Sequence, residues 1–202
     1  MKKLSFVYVI AAAIAMLSFR VNSDKEKTTN YQFDTEKSRI TWLGKKVTGE
    51  HTGNIKLAEG NVHANGGKLT AGSFKIDMNS ITCTDLEDEK YNAKLIGHLK
   101  SDDFFSSDKH KHAEFIIKSV KPAKNNQHEV TGDLTIKGIK QTITFPATVK
   151  IDGKQLTATA KVKVNRTKFD IKYGSGSFFD GLGDKMIYDD FELDLNLVAT
   201  TK

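Results

Sequence analysis

The chain has 202 residues, and its 31 lysines and arginines exceed its 25 aspartates and glutamates by six. Three of those basic residues, Lys2, Lys3 and Arg20, precede residue 24, so the remainder carries only a small positive excess and gives no reason to expect a nucleic-acid partner. One cysteine, Cys83, excludes an internal disulfide. We expect it to be a buried, small apolar side chain.

The first 23 residues have the features of a secretory signal peptide. Lys2 and Lys3 give a positive start, and an apolar run follows over residues 4–19. That run is shorter than the roughly 20 residues of a comfortable membrane-spanning helix, although an uncleaved anchor is an alternative. No cysteine near the cleavage region could carry a lipid anchor. We therefore expect one domain over residues 24–202, periplasmic or secreted.

Alternating apolar and polar residues predict long strands with one apolar face. Phe74, Ile76 and Met78, for example, alternate with Lys75 and Asp77. Strands that expose one face to solvent are typical of antiparallel sheets. The fold class predicted is all-β, an extended eight-stranded antiparallel barrel that closes as a meander and so has no exposed edges. The strands are expected near residues 31–47, 53–64, 68–80, 113–121, 128–137, 140–151, 155–173 and 187–199.

One short helix is predicted after the third strand, from Asp85 to Leu99. Thr84 would cap its N-terminus, with Glu87 as the reciprocal partner. Two glycine-containing turns, at residues 65–67 and 152–154, predict tight hairpins because Asn, Asp and Gly tolerate positive φ.

The strand predicted over residues 155–173 changes phase near Arg166. Apolar residues fall on even numbers up to Val164 and on odd numbers from Phe169. A bulge at residues 165–168 would correct the phase and turn Arg166 inward or across the rim. Three roles remain open for this arginine: an ion pair with Asp170 or an acid of the last strand, contact with a ligand head group, and exposure to solvent.

The inward faces of the predicted strands are rich in large apolar residues and include some small ones. An eight-stranded barrel is wide enough either to be filled by side chains or to hold one slender ligand. The pattern alone also fits a solid core. The candidate channel residues are Phe74, Ile76, Phe115, Ile117, Leu134, Ile136, Phe145, Ala147, Ala160, Phe169, Ile171 and Phe191.

Histidines and a glycine-rich segment supply two weaker signals of a functional site. Zinc needs three or four converging ligands, and His98, His110 and His112 do not have that spacing, so no metal site is expected. The glycine-rich segment at residues 174–185 fits no phosphate-binding or nucleophile motif. We interpret it as a loop that could cover the barrel opening.

Several motifs together resemble the YceI-like family of polyisoprenoid-binding periplasmic proteins over residues 31–199. They are "YQFDTEKSRITW", "KIDMNSITCTD", "HLKSDDFF", "VTGDLTIKGIKQTITFPATV" and "NRTKFDIKYGSG". The resemblance implies a lipocalin-like barrel whose internal channel holds an isoprenoid chain. The chain departs from the family at Asp170, where the family has glycine, and at His112, where a proline is common.

The residues and the resemblance together predict an exported, non-catalytic binding protein. It would enclose a polyisoprenoid or other long-chain lipid, for transport or storage, with Arg166, Asp170 and Tyr173 near the mouth. The bound isoprenoid lipid or quinone would be its ligand, with no cofactor besides. Transient membrane contact is expected, and the protein would be a monomer or homodimer. The alternatives are an enzyme acting on a lipid or quinone head group, with His98 or His112 as base, and a stress-related scaffold without a ligand.

Overall fold

The computed structural model describes residues 28–201, so the predicted signal peptide lies outside the described residues. Within this range, one α-helix and three short 3₁₀ helices (Met78–Ser80, Arg166–Phe169 and Gly183–Lys185) accompany the strands. In chain order the main elements are β1 (Thr28–Phe33), β2 (Arg39–Lys46), β3 (Gly49–Asn65), β4 (Lys68–Asp77), α1 (Glu89–Lys100), β5 (His112–Pro122), β6 (Gln127–Ile136), β7 (Ile139–Asp152), β8 (Gln155–Asn165) and β9 (Ile187–Thr201).

The strands form a closed antiparallel barrel with eight strand positions. Each of β3 to β9 pairs with its neighbour in sequence, and β1 and β2 close the ring between β3 and β9. The predicted single strand over residues 31–47 is therefore interrupted. A turn at residues 34–38 separates β1 from β2. There the Asp34 carboxylate accepts hydrogen bonds from the backbone N–H groups of Glu36 and Lys37. The predicted barrel and its single helix are confirmed.

Both predicted glycine hairpins are present. Gly66 and Gly67 join β3 to β4 with φ of 54° and 76°, and Gly153 joins β7 to β8 with φ of 54°. These backbone angles lie in the left-handed region, which glycine enters without a steric penalty. The turns therefore fix the register of the two hairpins.

The helix begins later than predicted. Its N-cap is Asp88, whose carboxylate accepts the N–H groups of Lys90 and Tyr91. Thr84 does not cap it; its N–H donates to the Thr52 carbonyl of β3. The prediction failed because the segment before the helix pairs with a strand distant in sequence.

The strand predicted over residues 155–173 ends at Asn165, and the predicted bulge is wrong. A 3₁₀ turn follows, with Asn165 as its N-cap and Asp170 in the left-handed conformation at its end (φ 57°, ψ 33°). An irregular pairing lies instead between β2 and β9. There Gly44 pairs with Phe191 and Lys46 with Ile187, so three residues of β9 face one of β2.

Alternation places one face of each strand in a common apolar interior. Ile40, Leu156, Val164 and Ala199 are almost completely buried. Across residues 28–201, no helix has the length and apolar character needed to cross a membrane.

Candidate ligand-binding interior

The barrel interior contains two apolar cavities. The larger has a volume of about 110 Å³ and the smaller about 50 Å³. Among the described residues, none lines both cavities. The interior is therefore not completely filled, and its two cavities have separate linings.

The larger cavity lies toward the end of the barrel where α1 packs. Ile76, Leu134, Ile136 and Phe191, all predicted to face a channel, line it. Arg166 also contributes to its wall. Sequence reasoning missed several further lining residues, notably Trp42, Ile55, Met78, Leu99, Phe104, Phe105 and Leu193.

Two signals in the sequence could have identified three of these missed residues. Trp42 continues the alternation that begins at Ile40 on the same strand. Phe104 and Phe105 belong to the "HLKSDDFF" motif, and Phe104 is buried with its ring 5.7 Å from the Arg166 guanidinium carbon. Residues from the helical insertion thus close one end of the cavity.

The smaller cavity lies toward the other end of the barrel, and six of the predicted channel residues line it. They are Phe74, Phe115, Ile117, Phe145, Ala147 and Ala160. Ala147 and Ala160 face each other across the β7–β8 pair. The absence of large side chains at this pair leaves part of the space open.

A cluster of phenylalanines lines the smaller cavity. Phe74 has its ring centroid 5.9 Å from that of Phe33 and 5.5 Å from that of Phe115, and Phe115 lies 5.5 Å from Phe145. On β4, Phe74 lines the smaller cavity, whereas Ile76, two residues along, lines the larger. The rings therefore form a wall of the smaller cavity, close to the larger one.

Gly132 accommodates this wall. A β-carbon at this position would lie 2.4 Å from Cζ of Phe115, well inside van der Waals contact. The glycine does not leave an empty space, because the Phe115 ring occupies it.

The larger cavity reaches solvent at the irregular β2–β9 pairing. Lys45, Tyr188 and Asp190 line it there, and Tyr188 is 47% exposed. Bulges disrupt strand pairing locally and are common at barrel rims and beside functional sites. This irregular pairing is the candidate mouth of the larger cavity.

Arg166 closes the neighbouring part of the barrel end. Its side chain is buried and donates hydrogen bonds to the carbonyl groups of Tyr188 and Ile187 on β9, at 3.0 Å each. It also donates to the carbonyls of Ile171 (2.8 Å) and Tyr173 (2.9 Å). β8 leaves the sheet after Asn165. Beyond that point, hydrogen bonds from the guanidinium replace the backbone pairing between β8 and β9.

The charge partner of Arg166 is Asp189 rather than Asp170. Asp189 Oδ1 lies 3.7 Å from the guanidinium. Burial opposes ionisation of Asp189, but hydrogen bonds from Ser175 and Ser177 and the charge of Arg166 lower its pKa overall. Burial also lowers the pKa of Arg166, while Asp189 opposes that shift.

The two remaining predicted mouth residues and the two remaining predicted channel residues line neither cavity. Asp170 is exposed and pairs with Lys172 at 2.7 Å. Tyr173 is half-exposed and contacts His98, with ring centroids 4.5 Å apart. Phe169 and Ile171 are buried beside Arg166 but line neither cavity.

The predicted histidines do not converge on a common point. His98 packs edge-on against Phe104, His110 lies against the turn at Gly138, and His112 begins β5 opposite Asp77. Within residues 28–201, none of these three belongs to a cluster of metal-ligating side chains.

Comparison with known proteins agrees with this architecture. Residues 31–199 match the YceI-like domain, and the chain belongs to the YceI-like family. A UPF0312 protein of Pseudomonas putida is 26% identical over 162 residues, which are 77% of this chain and 80% of that protein.

Two solved structures have the same fold. BcnA of Burkholderia cenocepacia is 28% identical, with a TM-score of 0.66 over 83% of this chain and 99% of that one. A polyisoprenoid binding domain from Saccharophagus degradans superposes with a TM-score of 0.62 over 87% of this chain and all of that one, at 12% identity.

Proposed function

We propose that this protein is exported and encloses the tail of a polyisoprenoid lipid, for transport or storage, in its barrel. The observation that carries the proposal is the pair of apolar cavities, the larger of which opens between β2 and β9. Family membership supports it, as does the fold shared with a domain described as polyisoprenoid binding.

The cavity walls favour a hydrocarbon chain over a polar ligand. Apart from Lys45, Arg166, Tyr188 and Asp190 at one end, the larger cavity is lined by apolar side chains and Gly44. At about 0.8 kcal/mol per buried CH₂, each five-carbon unit contributes roughly 3–4 kcal/mol before ordering costs. A tail of several units therefore has a sufficient driving force without directed polar contacts.

A long tail requires the phenylalanine wall to move. Apolar cavities of about 150 Å³ bind benzene in other proteins, so each cavity as it stands holds only a short segment. Rotation of the Phe115 ring away from Gly132 would join the two spaces. The tail would then run from the mouth toward Ala147 and Ala160, with its head group beside Lys45 and Tyr188.

The proposal is tested by narrowing the larger cavity. Leu193 lines it, whereas the preceding residue, Glu192, is exposed on the barrel exterior. We expect Leu193→Trp to reduce uptake of a polyprenyl quinone at least fivefold. Glu192→Trp, the matched control, should bind as the unchanged protein does.

Uptake would be measured by exchange of the quinone from detergent micelles, with circular dichroism and a thermal melt confirming that both variants fold. Equal uptake by the two tryptophan variants would contradict binding in this cavity. Absence of quinone uptake by the unchanged protein, emptied of any bound lipid beforehand, would contradict the proposed function itself.

A further inference from the structure

Three side chains that line neither cavity meet beside β3. His51 of β3 places Nδ1 2.8 Å from Asp85 Oδ2, and Cys83 Sγ lies 3.1 Å from Asp85 Oδ1. One ligand atom from each of the three residues lies within 4.8 Å of the other two. We propose that His51, Cys83 and Asp85 bind a divalent transition-metal ion of the zinc class.

The chemistry of the three donors fits such an ion. Zinc takes thiolate sulfur, imidazole nitrogen and carboxylate oxygen, and three protein ligands leave a fourth position for water or another ligand. A thiolate and a carboxylate carry two negative charges, which a divalent cation balances. Calcium and magnesium prefer all-oxygen sites, so a thiol among three ligands favours a softer metal.

The backbone holds the three residues in place independently of any metal. Thr84 donates its N–H to the Thr52 carbonyl, and the Thr52 N–H donates to Asp85 Oδ1 at 2.9 Å. The Asn92 side-chain amide donates to the carbonyls of Cys83 and Leu86. Because both sides of the cluster are anchored, its geometry is largely set before binding.

The site is accessible, although its sulfur is protected. Cys83 is buried, whereas the side chains of His51 and Asp85 are each about one third exposed (33% and 32%). A metal ion and its water ligand could therefore enter from the side of the histidine and the carboxylate.

The metal would replace the hydrogen bonds that now link the three donors. Burial and the hydrogen bond to Asp85 raise the pKa of the Cys83 thiol. Burial opposes ionisation of Asp85, but bonds from Thr52, His51 and Cys83 outweigh it and lower its pKa to about 2. On binding, the thiol proton leaves to solvent as the sulfur–metal bond forms. His51 would bind through Nδ1 as a neutral ring that carries its proton on Nε2.

The experiment titrates the full chain, without an affinity tag and treated with chelator and reductant, with Zn²⁺ and separately with Co²⁺. We expect one Zn²⁺ per chain and a thiolate-to-cobalt charge-transfer absorption band with Co²⁺. Cys83→Ser should abolish the band and weaken Zn²⁺ binding at least tenfold. Its hydroxyl can still donate to Asp85, which preserves the fold.

Two further variants complete the test. His51→Gln should also weaken Zn²⁺ binding at least tenfold. His128→Gln, which changes a histidine that contacts the backbone of Asn126 elsewhere on the surface, should bind Zn²⁺ as the unchanged protein does. No stoichiometric binding by the unchanged protein, or binding that Cys83→Ser leaves within twofold, would overturn the proposal.

Discussion

Arg166 shows how one side chain can complete a barrel. Its four hydrogen bonds to backbone carbonyls need a planar group with donors on several sides. Lysine offers three donors at a single nitrogen and cannot reach the same set. The sequence identified Arg166 as the site of a phase change, but its true acceptors are carbonyls on β9 and in the segment after the 3₁₀ turn. Their convergence depends on the closed fold.

Replacing Arg166 should therefore cost stability even when the positive charge is kept. We expect Arg166→Lys to lower the free energy of unfolding by about 3 kcal/mol, because buried carbonyls lose their donors. For a domain of this size that is a fall in Tm of roughly 6–12 °C.

A matched control tests the same substitution on the surface. Arg39 is exposed and also donates to backbone carbonyls, and Arg39→Lys should change Tm by less than about 3 °C. Thermal melts of both variants give the comparison. Equal Tm values for the two would contradict the structural role of Arg166.

Asp170 occupies a backbone conformation that favours glycine. Its φ of 57° is a left-handed conformation, which glycine adopts freely and which Asp tolerates better than most residues. We expect Asp170→Gly to raise Tm by about 2 °C. Asp170→Ala, which removes the same carboxylate but keeps a β-carbon, should lower it. A melt in which both variants lose stability equally would refute this account.

At the scale of elements, regular strands were predictable and their interruptions were not. A two-residue period identifies a strand that is apolar on one face, and the bounds of β5, β6 and β7 agree with the prediction to within a residue. The helix start was missed because Asp85 resembles an acid in a first helical turn. Its carboxylate instead binds the N–H of Thr52, a contact between residues 33 positions apart.

The segment at residues 174–185 lies beside the mouth and exposes two adjacent aromatic side chains. Ser175 forms an isolated β-bridge with Ile187, which lines the larger cavity. Phe178 and Phe179 are about half exposed (48% and 50%). Phenylalanine is among the apolar side chains with which peripheral proteins enter the interface of a bilayer. The segment is therefore our candidate for the membrane contact that lipid exchange requires.

Removing these aromatic groups should slow delivery from a membrane without closing the cavity. We expect Phe178→Ser combined with Phe179→Ser to slow transfer of a polyprenyl quinone from phosphatidylcholine vesicles at least threefold. Loading from detergent micelles should be unchanged. Ile116→Ser, on an exposed position of β5, serves as the control. Identical vesicle transfer by the control and the double variant would contradict a docking role.

At the scale of the whole molecule, the sequence predicts which residues face inward but not how much space they enclose. An alternating strand can equally line a cavity or fill it, and the difference depends on how side chains from opposite strands meet. Gly132 illustrates this, since Phe115 fills its space. Ala147 and Ala160 illustrate the opposite outcome, because they border the smaller cavity.

The most direct test of the account is native mass spectrometry of the full chain, purified without detergent from a bacterium that exports it, followed by solvent extraction and lipid identification. The account predicts a one-to-one complex with an isoprenoid lipid, lost on extraction and strongly reduced in Leu193→Trp. Protein that is consistently empty, and that takes up no polyprenyl lipid when one is offered, would contradict it.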